Sequence, residues 1–234
     1  MQSVHIDDAI HPLVLTLDVG TSAVRLLCFD AHARCIDGIE ARRTLDVTTT
    51  SHGGAEIDMD TLFDQCVAVV DDILSQLGSA CQAVTAIGMA TMTTTMVGIA
   101  ADGRAVGPLR TYADTQSDAQ ARQLRQTYDE SAYHMQTGCL LRPNYWPARV
   151  RWLQQVHPHE WQQASWWMTL GQYLEWRWLG IHRVTPSIAA WTGLMNRTTL
   201  QWDTTWLQHI DMPATALAPI VDVSVPHIGL TPVW

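Results

Sequence analysis

The segment LVLTLDVGTSAVRLLCFD, Leu13 to Asp30, decides the fold. Two apolar runs, Leu13–Val19 and Val24–Asp30, flank a joint of small polar residues, the pattern of two short strands joined in a hairpin. A hairpin tip needs only a pair such as Asn-Gly. Here the joint carries Asp18, Gly20, Thr21 and Ser22, with Arg25 close behind. A tight turn between antiparallel strands can point amides and hydroxyls outward as an anion-binding concavity. Gly20 lets the backbone approach an oxyanion closely and tolerates a positive φ, and Thr21 and Ser22 can donate to phosphate oxygens. Asp18 can hold Mg²⁺ through the metal's waters, and Arg25 can neutralise charge on a transferring phosphoryl group. The same residues also suit a plain hairpin closed by an Asx turn. The motif alone leaves both readings open.

Working outward, Ile36–Val47 reads as a third strand, so the chain begins with an antiparallel meander. Ser51–Asp58 reads as a loop by its glycines. Leu62, Cys66, Val69, Val70, Ile73 and Leu77 then recur at helical spacing, after Asp58 or Asp60 as a cap. Ala83–Thr93 returns to strand character, and Thr95–Pro108 reads as a strand with a turn at Asp102-Gly103. The second half is helical: one or two helices ending near Gly138, another from Pro147 to Pro158, and another closed by Gly180. Most of the eleven tryptophans lie there, and core packing is the expected fate of most of them. The order of elements predicts a mixed α/β sheet with helices packed against it, in one domain over residues 1–234.

Composition narrows the function. The chain is 47% hydrophobic and 16% charged, the balance of a folded globular protein. No apolar run approaches the ~20 residues of a membrane helix. The first residues lack the basic and apolar stretches of a secretory signal, so a cytoplasmic location is expected. A net charge of −9 argues against a general nucleic-acid or anionic-membrane surface. Five cysteines without a CxxC pair read as reduced thiols and give a metal site little support. His157 and His159, flanking Pro158, read as a surface turn. All fourteen basic residues are arginine, which excludes a Gly-Lys-Ser/Thr phosphate loop and Schiff-base lysine chemistry.

Several blocks in order resemble the FGGY group of sugar kinases, which includes gluconokinase, xylulokinase and glycerol kinase. They are LDVGTSAVRLLCFD, GGAEID, IGMATMTTTMVGIAADGRAVGPLRTYADTQ, YHMQTGCLLRPNYWPARVRWL and TPSIAAWTGLMNRTTLQWD. The wording is most similar to gluconokinase-like members, with xylulokinase near behind. The resemblance implies an actin-like, ribonuclease-H-like α/β fold and transfer of the ATP γ-phosphate to a sugar or sugar-acid hydroxyl, with ATP and Mg²⁺ as cofactors. It implies that Asp18 organises Mg²⁺, and that Gly20, Thr21, Ser22 and Arg25 face the phosphates. Thr93, Thr94 and Asp114 fall where the family lines its sugar pocket, with Tyr145 a further candidate for that wall. Each of these has a structural alternative: strand residues for the threonines, a helix cap for Asp114, core for Tyr145.

Two departures touch that pocket: relatives carry a bulky residue followed by histidine near Thr93-Thr94, a donor to sugar hydroxyls that is lost here, and a Trp-x-Asp-x-Arg run where this chain has YADTQ. Tyr112 stands where relatives carry tryptophan, and Gln116 where they carry arginine, which removes a charged fork suited to an acid such as gluconate. The family's catalytic base and adenosine pocket belong to a second domain, so the chain by itself is expected to be inactive. That second domain, in the same or a separate chain, is an expected partner. A non-catalytic remnant that binds a sugar or a partner protein is the alternative. Apolar surface around Trp234, left uncovered, is expected to favour self-association, a homodimer included.

Overall fold

The computed structural model describes residues 2–222 and 229–231. Along the chain, strands β1 (Ser3–Val4), β2 (Leu13–Val19), β3 (Ala23–Phe29), β4 (Cys35–Thr44), β5 (Thr48–Thr49) and β6 (Ala55–Ile57) precede helix α1 (Met59–Leu77). Strands β7 (Val84–Thr91), β8 (Met96–Ile99) and β9 (Ala105–Arg110) follow. Helices α2 (Asp118–Thr127), α3 (Glu130–Thr137), α4 (Trp146–Val156) and α5 (Pro158–Gln163) come next, then β10 (Trp166–Met168) and α6 (Leu170–Leu179). Contacts divide these elements into two compact units, Met1–Val47 with Met59–Met92, and Thr48–Asp58 with Thr93–Trp234. The sequence reads as one domain. The division arises because β5 and β6, though they precede α1, pair onward to β9 rather than back to β4.

The first unit is a five-stranded sheet in the order β1-β4-β3-β2-β7. The expected meander is present: β2 pairs antiparallel with β3, and β3 with β4. Alternation fixes its faces, since Leu13, Leu15, Leu17 and Val19 are buried while Val14, Thr16 and Asp18 are half-buried. Helix α1 lies on β3 and β4, and its stripe of Leu62, Cys66, Val69, Ile73 and Leu77 is buried, with Val70 at the stripe's margin. The chain then returns through β7, parallel to β2. Among the described residues β7 is one edge of the sheet, as β1 is the other. Thr85, Ala86, Ile87, Gly88 and Ala90 are exposed, Ile87 by 55%, and the strand holds neither charge nor proline.

The second unit has an antiparallel sheet in the order β10-β8-β9-β6-β5. The stretch read as a loop by its glycines therefore contains a strand. Glu56 pairs with Arg110 and Ile57 with Leu109, a partnership that local sequence does not reveal. The helices end where their caps dictate. Gly138 and Gly180 take left-handed conformations after α3 and α6, and Pro147 sits in the first turn of α4. Thr169 and Gln172 form a capping box on α6. Trp146, Trp152, Trp167 and Trp206 are buried with Leu153, Val150 and Tyr133 in the core of this unit, whereas Trp191 is 47% exposed. His157 and His159 are exposed, in keeping with a surface turn. Among the described residues no helix is long and apolar enough to cross a membrane. Trp234, expected at an uncovered face, lies outside the described residues.

Candidate functional site

In the first unit, the hairpin register sets Asp18 directly across from Arg25 and Val19 across from Val24. Asp18 Oδ2 accepts from Arg25 Nη2 at 3.0 Å, with the two side chains 50% and 58% exposed. Gly20 N–H donates to Ala23 O at 3.0 Å, which closes the turn, and Ser22 O accepts from Leu45 N–H at 3.0 Å, which ties the turn to the residue after β4. Gly20 does not take a positive φ, contrary to one use expected of it, and its amide points into the turn rather than outward. A Cβ placed on Gly20 would meet only Ala23 O, at 3.7 Å. Nothing inside the unit therefore demands glycine there, and the space beside its backbone is open. Among the described residues no hydrogen bond engages the amides or hydroxyls of Thr21 and Ser22. The tip thus offers unengaged donors, one half-exposed carboxylate and one half-exposed guanidinium.

That set fits both groups the sequence points to. Free N–H and O–H donors beside a residue without Cβ are what phosphate oxygens need. A single carboxylate suits Mg²⁺, which keeps most of its waters and takes one or two carboxylates together with substrate phosphates. A cluster of three or more metal-binding side chains does not occur among the described residues.

In the second unit, Asp114 is 1% exposed and fully engaged. Its Oδ2 accepts from Ala55 N–H at 3.1 Å and from Gln116 Nε2 at 2.9 Å, and its Oδ1 from Gln116 N–H at 3.3 Å. Thr111 Oγ1 donates to Ala55 O at 2.9 Å alongside. Asp114 thereby fastens β6 to the segment that follows β9. Gln116 Nε2 also donates to Glu56 Oε1 at 2.9 Å, so one amide joins two carboxylates. Arg110 lies against the same group. Its guanidinium makes a two-point contact with Glu160, at 2.6 and 2.8 Å, and its Nε is 3.9 Å from Glu56.

Arg149 was not singled out in the sequence, because no acid at helical spacing marks it. It is fully buried, and its Nη1 and Nη2 donate to the main-chain carbonyls of Thr94, Arg110 and Thr111. Burial pushes its guanidinium down to about 10, opposed by the nearby Asp114 charge and assisted by Arg110, so it stays charged at neutral pH. Thr94 has φ +54, an uncommon conformation for a β-branched residue, and its buried Oγ1 has no hydrogen-bond partner among the described residues. Thr93 is half-buried. Tyr145 is half-buried at the N-cap of α4, and its carbonyl accepts from Arg149 N–H at 3.3 Å. Burial and the neighbouring Cys139 thiol raise its phenol above the usual value. Arg149 therefore gathers the segments bearing Thr94, Asp114 and Tyr145, while the hairpin residues belong to the other unit.

A sequence model described as the FGGY family of carbohydrate kinases, N-terminal domain, matches residues 13–229. A curated relative, glycerol kinase of Ectopseudomonas mendocina (strain ymp), is 26% identical over 216 residues, 89% of this chain and 43% of its own. The crystal structure of gluconate kinase from Lactobacillus acidophilus superposes with a TM-score of 0.87 at 20% identity, covering 94% of this chain and 44% of that one. Plasmodium falciparum glycerol kinase, solved with ADP, superposes with a TM-score of 0.81 at 16% identity, covering 91% of this chain and 43% of that one. The chain thus spans less than half the length of these proteins. The fold is the actin-like, ribonuclease-H-like α/β class, with the mixed sheet expected of it. With the family match running from β2 to Gly229, the chain belongs to the FGGY family of carbohydrate kinases.

Proposed function

We propose that this chain supplies the sugar-side half of an ATP-dependent carbohydrate kinase. The observation that carries the reading is the hairpin tip, where the donors of Thr21 and Ser22 stand unengaged beside Gly20, Asp18 and Arg25. Thr21 and Ser22 donate to the terminal phosphate oxygens of ATP, and Gly20 leaves room for them. Arg25 balances charge on the phosphoryl group, and Asp18 holds Mg²⁺ through water. When bound, Mg²⁺ neutralises phosphate charge. Thr93, Thr94, Asp114 and Tyr145 form the sugar side. Phosphoryl transfer is largely positioning and charge stabilisation, which suits residues fixed at strand ends and loops. The general base and the adenosine pocket come from a second kinase domain, the chain's partner in the reaction, and the setting is cytoplasmic.

A remnant that binds without catalysis is the second reading. The full engagement of Asp114 by Ala55 and Gln116 favours it, as does the enclosed Thr94 hydroxyl.

Co-expression with an FGGY C-terminal domain tests the choice. Sugar-dependent ADP release that falls roughly a hundredfold or more in Asp18→Asn supports the kinase. Calorimetric binding of sugar by that mixture, with no ADP release, selects the remnant. Neither binding nor turnover with glycerol, xylulose, ribulose or gluconate overturns both.

A further inference from the structure

We propose that the groove between α2 and α4 is a separate small-molecule site that takes a neutral polyol or sugar, independent of the kinase reading. The groove has a volume of about 300 Å³, within the range of ligand pockets, and lies inside the second unit. Gln120 of α2 and Gln155 of α4 meet across it, with Gln120 Nε2 donating to Gln155 Oε1 at 2.9 Å. Gln120 is only 8% exposed, and its Oε1 has no hydrogen-bond partner among the described residues. A buried carbonyl oxygen without a donor costs stability, and a ligand that donates to it recovers that cost. Gln155 is exposed, and among the described residues its Nε2 engages nothing. The groove thus sets one open acceptor beside one open donor.

Hydroxyl groups suit that pair. A hydroxyl donates and accepts at once, so it answers both Gln120 Oε1 and Gln155 Nε2. Turned over together, the two amides would exchange acceptor for donor, and a hydroxyl answers that arrangement as well. A charged ligand finds no counterpart. Among the described residues no carboxylate lines the groove, which leaves an amine or a metal ion unpaired. Arg151 is the cation on its wall, and it is committed, with Nη1 on Asp211 Oδ2 at 2.8 Å and Nη2 on the His209 carbonyl at 2.7 Å. Leu124 and Tyr128 form the apolar part of the wall, and the Tyr128 ring packs on His209 with centroids 4.3 Å apart. Such a surface meets the C–H groups of a polyol chain or sugar ring.

Calorimetry on the chain with glycerol, xylitol, glucose and maltose tests this, with glucosamine and gluconate as the cationic and anionic controls. At least one neutral compound should bind about fivefold or more tightly than either control, and Gln120→Leu should weaken it by about fivefold or more. Where thermal melts show Gln120→Leu unfolded, Gln155→Leu takes its place, since Gln155 is exposed. Neutral binding unchanged in the variant so chosen overturns this site and assigns the compound elsewhere, the Asp114 region included. Controls held as tightly as the neutral compounds overturn the proposal, as does the absence of binding by all four neutral compounds.

Discussion

Arg149 holds Thr94 by its main-chain carbonyl and leaves the Thr94 hydroxyl, buried, without a partner among the described residues. The threonine is thus fixed in a left-handed conformation by a bond to its backbone rather than by any use of its side chain. Left-handed backbone on a non-glycine residue costs ~1–3 kcal/mol, and a buried unpaired hydroxyl adds ~1–3 kcal/mol.

Thr94→Gly removes both costs at the expense of a buried methyl group and some chain entropy, each worth about 1 kcal/mol. The melting temperature is therefore expected to hold or rise, against the fall usual for a buried Thr→Gly change. A drop of more than about 4 °C, read by circular dichroism, would contradict the strain argument.

Arg149→Met leaves the carbonyls of Thr94, Arg110 and Thr111 without their buried donor. A loss of ~3–5 kcal/mol is expected, on the scale of breaking a buried charged contact. Arg149→Lys should recover only part of it, since an ammonium lacks the planar fork that spans several acceptors. Urea titration of the three proteins gives the ranking directly. Equal midpoints for Arg149→Lys and wild type would refute the fork.

The Asp18–Arg25 pair is half-exposed, so its contribution to stability is small, ~0–1 kcal/mol. Asp18→Asn and Arg25→Met should melt within about 4 °C of wild type. On the kinase reading the same changes, in the chain paired with an FGGY C-terminal domain, weaken MgATP binding by about tenfold or more, so function and stability separate. Unchanged MgATP affinity in both variants of that pair counts against the phosphate role of the hairpin.

Asp30 predicts an acid limit. Arg34 donates to its Oδ2 from Nε at 2.9 Å and Nη2 at 2.6 Å, and the amides of His32 and Arg34 reach Oδ1 at 3.0 and 2.9 Å. The Arg34 guanidinium, helped by these amides and that of Ile10, holds the carboxyl well below the usual carboxylate range. Its folded value lies below its unfolded value, so its stabilisation is complete above about pH 4 and disappears as pH falls through the folded value. Asp30→Asn should therefore melt lower than wild type at neutral pH, and the gap should narrow below about pH 4. A gap independent of pH would place the effect elsewhere.

Thiol reactivity offers an independent check on burial. Burial pushes the Cys66 thiol up to about 12 and Cys28, beside Cys35, up to about 11, and it raises Cys139 as well. At mildly alkaline pH the half-buried Cys81 should react with a chromogenic disulfide first, with Cys35 slower and the other three only after denaturation. Mass mapping of the labelled sites reads the order.

Local chemistry made much of the fold legible. Alternation gave β2 and β3, periodicity gave α1, and Gly138, Gly180 and Pro147 marked helix ends because each is chosen for backbone geometry at that point. What escaped depends on distant partners. Ala55–Ile57 is a strand only because β9 lies beside it, and that partner is more than fifty positions away in the chain. Arg149 escaped because its acceptors are main-chain carbonyls, which every residue has and no sequence pattern marks. The polar set at the hairpin tip was visible as residue types, but not that Gly20 closes the turn while Thr21 and Ser22 keep their donors free.

The rim formed by β7 has a consequence for anyone concentrating this protein. Among the described residues its eight residues pair with a strand on one side alone, and no lysine, glutamate or proline stands guard along them. Another polypeptide's extended segment can template on such a rim, so a twin molecule zipped edge to edge, or a growing cross-β stack, is the expected fate at high concentration. A single gatekeeper, Ile87→Lys, should keep the solution clear.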